Sequence, residues 1–401
     1  MEHPSTQSSG KYVIVIMDGA ADEPQAELGG LTPLQAAKTP NCDAIAREGM
    51  CGLAKTIPDE MEPGSDVATL SILGYDPRQY HTGRAPLEAA NLDIPLNSQD
   101  VAFRCNLVTC DGRTLIDYAA GEVSTAESKA LIGVINERLG TRLVQFYTGV
   151  SYRHVMVWRE GTPEVKTTPP HDIIGREIEP YLPRGEAEEM LRGLMFDSLE
   201  LLDGHEVNRR RRDEGKPPAN MIWLWGQGRA CVLPSFALQR GTPGAVIAAV
   251  DLVRGAGKCA GLSAPEVAGA TGNLETDFGA KARAAEAELE RVDFVLVHVE
   301  APDEASHQGS AERKVWAIEQ IDREVVGPIR EWLLKYSDGR LLVLADHYTK
   351  LATRTHDREP IPFAVMGPRR DGAEAFDEQN AASTGYFLEE GWRLPDLLFE
   401  A

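Results

Sequence analysis

The chain has 401 residues, which is room for two domains or for one large domain carrying an insertion. An apolar fraction of 42% supports real cores, and a net charge of −21 argues against nucleic acid as a partner, since phosphate contact needs clustered Lys and Arg. The six cysteines (Cys42, Cys51, Cys105, Cys110, Cys231, Cys259) form no C-x-x-C pair, residues 1–10 are polar, and no run approaches the ~20 apolar residues of a membrane span. Free thiols, no secretory signal, no membrane partner and a cytoplasmic location are the resulting expectations, and a homo-oligomer is compatible with them.

In chain order, the first element is the apolar run 12–17, which ends at Asp18. A continuous run of this kind reads as a buried parallel strand. Thr39-Pro40 then opens a helix, with Pro near its first position and apolar residues at Ile45 and Met50. The segment Pro63-Gly64-Ser65-Asp66 leads into another helical stretch, 66–73. From about 86 to 239 the pattern changes. Strand-like pieces at 101–108 and 155–158 mix with helical ones at 124–139 and 186–202, and prolines pair at Pro169-Pro170 and Pro217-Pro218. This reads as an inserted α+β cap domain, in which the charge run Arg209–Arg212 is a solvated helix face. Strand and helix alternate again in 240–401: a strand at 245–250, a helix at 278–289, a strand at 293–299 leading to Asp303, and a strand at 341–345 leading to Asp346. A long helix over 310–335, with Trp316, Ile318, Ile321, Val325 and Ile329 as its apolar stripe, supplies the crossover that a parallel pair requires. The expected organisation is therefore a doubly wound α/β domain made of 11–85 and 240–401, interrupted by 86–239.

Ligands of open α/β sheets gather outside the carboxyl ends of the strands. Asp18, Asp303, His307, Asp346, His347 and His356 all sit at or beyond such ends. Asp303 and His307 are four apart, so they share a helix face. Three carboxylates and three imidazoles can hold two divalent ions of the Mn, Mg, Zn or Co type, and two-metal sites perform phosphoryl chemistry. Ser65 is the candidate nucleophile. A helix N-terminus favours an incoming phosphate, although a serine there also serves as a plain N-cap. Arg153, His154, His171, Asp172 and Lys258 are candidate substrate contacts, each with a bland reading as surface charge.

These motifs together resemble a family. Met17-Asp18-Gly19, Pro63-Gly64-Ser65-Asp66, Glu300-Ala301-Pro302-Asp303-Glu304-Ala305-Ser306-His307, Ala345-Asp346-His347 and Thr355-His356 are similar to the archaeal-type cofactor-independent phosphoglycerate mutases of the alkaline phosphatase superfamily. The likeness continues through Leu73–Asp76, Gly149–His154, Pro169–Asp172 and Gly215–Asn220. It implies an alkaline-phosphatase-like fold, a phosphoserine at Ser65 and no need for 2,3-bisphosphoglycerate. It implies one metal on Asp18, Ser65, Asp346 and His347, a second on Asp303, His307 and His356, and a small phosphorylated metabolite as substrate. The implied activity is interconversion of 3- and 2-phosphoglycerate. Where that family carries arginines, this chain has Tyr118, Glu122 and Trp225. A Glu and a Trp suit an ammonium group, through a salt bridge and a cation–π contact. Homoserine kinase, as proposed for a branch of the family, is therefore an alternative reading, and a metal-dependent phosphohydrolase is another.

Overall fold

The strand Lys11–Met17 is apolar from Tyr12 onward because it lies inside a seven-stranded sheet with neighbours on both edges. In a computed structural model, which describes residues 10–367 and 373–399, the strand order is Gly244–Ile247, Phe294–Val299, Lys11–Met17, Gly339–Leu344, Ile361–Met366, Met50–Ala54 and Phe387–Leu388. The first four strands run parallel. The next pairings, Gly339–Leu344 with Ile361–Met366 and Ile361–Met366 with Met50–Ala54, are antiparallel. All three central strands are buried on both faces, which is why each is dominated by Val, Ile and Leu, with His298 the polar residue within Phe294–Val299.

Register fixes what happens at their ends. Met17 lies beside Val299, and Ile16 beside both His298 and Leu344. Asp18, Glu300 and Asp346 therefore leave the sheet within one or two residues of the same level, and Asp18 N donates to Val299 O at 3.1 Å. Each strand can place one carboxylate at this edge because hydrogen bonding stops there and a turn or helix begins.

The chain forms two units, one of residues up to 81 with those from 232 on, the other of residues 82–231. The expected division at 85/86 and 239/240 falls a few residues earlier at both passages. Thr82 Oγ1 donates to Arg229 O at 2.8 Å, and a Cβ at Gly83 (φ +136°) would lie 2.2 Å from Gln227 O. The incoming loop before the helix Arg84–Asn91 is thereby tied to the end of the outgoing strand Met221–Arg229 inside the second unit. That unit centres on the strand Val101–Cys110, paired antiparallel with Arg153–Trp158 on one side and Met221–Arg229 on the other. Val144–Val150 extends the sheet beyond Arg153–Trp158.

Three local expectations change. The long helix over 310–335 is Ala311–Ile321 and Gly327–Leu333, separated by a π-helical turn at Asp322–Val326. Asp322 there accepts from the backbone N–H groups of Asn41 and Cys42, capping the helix Pro40–Glu48. Trp316 is not core but 44% exposed. Arg211, read as solvated, is buried: it donates to Ala120 O (2.6 Å), Pro217 O (2.8 Å) and Glu127 Oε2 (3.0 Å).

Candidate metal centre and nucleophile

Ser65 is the first residue of the helix Ser65–Ile72, and Gly64 occupies the cap position without a side-chain cap bond. The plain N-cap role is therefore not the one Ser65 plays. Its Oγ lies 3.1 Å from His347 Nε2, a residue 282 positions away. His347 Nε2 is in turn 3.5 Å from Asp18 Oδ1 and 3.4 Å from Asp346 Oδ2, and all three of these side chains are fully buried. Asp346 Oδ1 is held by the backbone N–H groups of Gly19 and His347, both at 2.9 Å. This leaves Oδ2 to face the site.

Asp303 begins the other half. It sits on the short helix Ala301–His307, where the i, i+4 spacing brings His307 Nε2 to 3.1 Å of Asp303 Oδ2. His356 Nε2 is 3.4 Å from Asp303 Oδ1 and 3.1 Å from His307 Nε2. His356 is delivered by a hairpin, Tyr348–Lys350 with Thr355–Asp357, in which it pairs with Thr349. The two halves touch, since the rings of His347 and His356 are 4.3 Å apart. The structure thus brings together Asp18, Ser65, Asp303, His307, Asp346, His347 and His356 as one continuous patch.

The electrostatics call for cations. Neither oxygen of Asp18 nor Oδ2 of Asp346 has a hydrogen-bond partner, although all are buried. Burial, then the neighbouring Asp346 and Asp303, push Asp18 well above the ordinary carboxylate range. An uncompensated buried carboxylate costs several kcal/mol, and a bound cation removes that cost. Burial also drives His347 down to about 4, so the ring is neutral and able to ligate. The oxygen and imidazole donors suit a hard or borderline divalent ion. The residues present therefore fit the two ions.

Sequence reasoning gave no role to His298, Glu300 or Lys281. His298 Nε2 is 3.0 Å from Asp18 Oδ2, and its Nδ1 is 3.8 Å from Glu300 Oε2. Among the described residues three sets of donor atoms lie close enough to share an ion: Asp303 with His347 and His356, Asp18 with His298 and Asp346, and Asp18 with Glu300 and Asp303. Lys281 Nζ donates to His298 O at 3.0 Å, and burial lowers its pKa to about 8. The signal for His298 was a polar residue inside an otherwise apolar strand.

The proposed substrate contacts are more scattered. Lys258 lies half-buried on the helix Asp251–Cys259, which packs on the Ser65 helix. The others belong to the second unit. His154 is corrected: it is a buried core residue whose Nδ1 accepts from Gly149 N at 3.0 Å, and burial lowers it to about 3, so it brings no positive charge. Arg153 is half-buried at the start of its strand. His171 and Asp172 are largely exposed, with the His171 ring 5.4 Å from that of Trp225. Glu122 is exposed on a turn with φ +50°. Trp225 is buried, its Nε1 donates to Asn106 Oδ1 at 3.1 Å, and Arg104 lies over its ring at 4.2 Å. The ring contact imagined for a ligand's ammonium group is thus made by the protein's own guanidinium.

Comparison with known proteins shows the family. Residues 46–208 match the family model described as 2,3-bisphosphoglycerate-independent phosphoglycerate mutase. A Geobacter sulfurreducens protein named as a probable mutase of that kind is 49% identical over 397 residues, covering 97% of this chain and 100% of that protein. This chain belongs to the 2,3-bisphosphoglycerate-independent phosphoglycerate mutase family. A solved protein from Pyrococcus horikoshii superposes with a TM-score of 0.81 at 30% identity, covering 98% of each chain. The cofactor-independent phosphoglycerate mutase of Thermoplasma acidophilum superposes at 0.65 with 25% identity, covering 97% of this chain and 99% of that one. The family is one of isomerases, and the two solved proteins share the α/β fold of this chain. Among the described residues no helix is long and apolar enough to cross a membrane.

Proposed function

We propose that this chain interconverts 3- and 2-phosphoglycerate without 2,3-bisphosphoglycerate, through a phosphoserine at Ser65. The observation that carries the reading is the 3.1 Å approach of Ser65 Oγ to His347 Nε2, beside buried carboxylate oxygens of Asp18 and Asp346 (Oδ2) that accept no hydrogen bond. Asp18, Ser65, Asp346 and His347 would hold one divalent ion, and Asp303, His307 and His356 the other, as Mn, Mg, Zn or Co. Such ions supply charge neutralisation on a phosphoryl group and a lowered pKa for a bound hydroxyl.

Ser65 Oγ attacks phosphorus as its proton leaves. The bond between phosphorus and the substrate oxygen breaks, and that oxygen regains a proton. The neighbouring hydroxyl of the same glycerate then takes the phosphoryl group back from Ser65. No external phosphate donor enters, which is what distinguishes an intramolecular transfer from a kinase. Arg153, His171, Asp172 and Lys258 remain the proposed substrate contacts, with arginine suited to carboxylate and phosphate. Homoserine kinase and phosphohydrolase are not favoured, because near relatives at 49% identity are named mutases and Arg104 already covers Trp225.

The test is Mn²⁺-loaded protein with 3-phosphoglycerate alone, followed by ³¹P NMR, with mass spectrometry of the quenched enzyme. Formation of 2-phosphoglycerate and a phosphate on Ser65 is expected, and Ser65→Ala should lose both. Turnover by the alanine variant would remove the covalent pathway. Release of inorganic phosphate without isomerisation would replace the mutase with a hydrolase.

A further inference from the structure

We infer that Thr349 is a positioning residue: its single hydroxyl joins the two halves of the site and fixes which ring nitrogen of His347 carries the hydrogen, leaving a bare lone pair on the one that faces Ser65. The inference rests on the reading of these residues as cation ligands. Thr349 is fully buried, and its Oγ1 lies 2.6 Å from Asp303 Oδ1 and 3.2 Å from His347 Nδ1. A threonine hydroxyl has one proton to donate. An ionised carboxylate accepts only, so that proton goes to Asp303. Toward His347 the hydroxyl then presents a lone pair, and Nδ1 must carry the ring hydrogen. A neutral imidazole has one N–H, so Nε2 is left with a bare lone pair. Nε2 is the atom that lies 3.1 Å from Ser65 Oγ and faces Asp18 and Asp346. The opposite tautomer would aim a hydrogen at the place where an ion must bind.

The fold holds this hydroxyl from several sides. Thr349 O accepts from Lys314 Nζ at 2.9 Å, and Lys314 Nζ also donates to Asp22 Oδ2 at 2.8 Å and to Ala21 O at 3.3 Å. Lys314 and Asp22 are both buried, and a buried ion pair of this kind resists displacement because breaking it strands a charge. Asp22 Oδ2 further accepts from Leu351 N at 3.1 Å, which pins the same hairpin strand two residues on. Gly19, at φ +61°, leaves the space: a Cβ there would lie 2.5 Å from Thr349 Oγ1 and 2.7 Å from Asp303 Oδ1. Partners outside the ligand shell that orient a ligating imidazole typically change metal affinity by about 10–100-fold when removed.

The experiment uses the full chain as wild type, Thr349→Val (nearly the same shape, no hydroxyl) and Thr349→Ser (hydroxyl kept). Mn²⁺ stoichiometry and affinity are read by calorimetry. The tautomer of His347 is read by ¹⁵N NMR of the metal-free protein, assigned with a His347→Asn variant. Expected are two Mn²⁺ in the wild type, hydrogen on Nδ1, a loss of roughly 10–100-fold in affinity with a mixed tautomer in Thr349→Val, and recovery of both in Thr349→Ser. Hydrogen on Nε2 in the wild type overturns the role, whether or not the valine variant folds. So does a valine variant that binds two Mn²⁺ as tightly as the wild type. A wild type that takes up fewer than two Mn²⁺ overturns the cation reading itself, and this role with it.

Discussion

Asp18, Asp346 and His347 are sealed from water, whereas the His307 side chain at the other end of the same patch is 38% exposed. The two ends settle their charge differently. At the exposed end His307 rises to about 9, chiefly through its bond to Asp303. Burial would raise Asp303, yet the bonds from His307 and His356 hold it well below the usual carboxylate range. That end is a carboxylate with its own imidazolium. At the buried end His347 is too desolvated to charge and cannot neutralise Asp18. The exposed half is therefore tolerable without a cation, and the buried half is not. Binding energy from metal should appear mainly as relief at the buried end.

The largest test of that contrast is Asp18→Asn. Turnover should fall by more than about 100-fold, the upper end of what outer partners alone produce. The metal-free protein should nonetheless become more stable, since a buried charge is gone. A gain of about 1 kcal/mol would appear as roughly 2–4 °C in Tm for a domain of this size. A metal-free variant that melts below the wild type would break the comparison.

Gly19→Ala strikes the junction of both halves. The left-handed φ of +61° and the 2.5 Å approach to Thr349 Oγ1 together should cost about 2–4 kcal/mol in urea unfolding. Loss of Mn²⁺ affinity at both halves should accompany it, and an alanine variant with wild-type stability would mean the junction is loose.

The smallest effect belongs to the exposed end. With cations chelated, the folded pKa of His307, about 9, lies above its ordinary value of 6.5. The folded protein thus holds a proton that the unfolded chain releases. The stabilisation is complete below pH 6.5 and is lost as pH rises through 9. His307→Ala should flatten that decline in denaturation midpoints between pH 6.5 and 9, and solvent exposure keeps the change small. An equal slope in both proteins would show that Asp303 does not depend on His307.

The strand ends were readable because three two-face-buried strands must be continuous apolar runs, and each run stops at a carboxylate. Tertiary proximity was not readable in the same way. His298 hides within such a run, and nothing local reveals that its ring lies beside Asp18. Thr349 looks like an ordinary β-branched strand residue until Asp303, 46 positions away, is placed against it. The reverse error occurred at His154 and Arg211, where a polar residue type suggested solvent or ligand and the fold instead satisfied it internally. Ser65 shows the limit of local rules: the sequence allowed both a cap and a nucleophile, and the structure gives the cap position to Gly64.

The sheet order has a consequence for how the protein is made. Lys11–Met17 emerges from the ribosome long before its two neighbours, Phe294–Val299 and Gly339–Leu344. At about 5–20 residues per second, roughly 15 seconds to a minute passes before the earlier neighbour exists. Throughout that time a strand apolar from Tyr12 onward waits without its sheet, with hydrophobic surface exposed to aggregation. Asp18 likewise has no neighbouring carboxylate of this patch until Asp303 and Asp346 have been synthesised. Assembly of this patch of carboxylates and imidazoles is thus a late event in the life of each molecule, and a prematurely terminated chain lacks it.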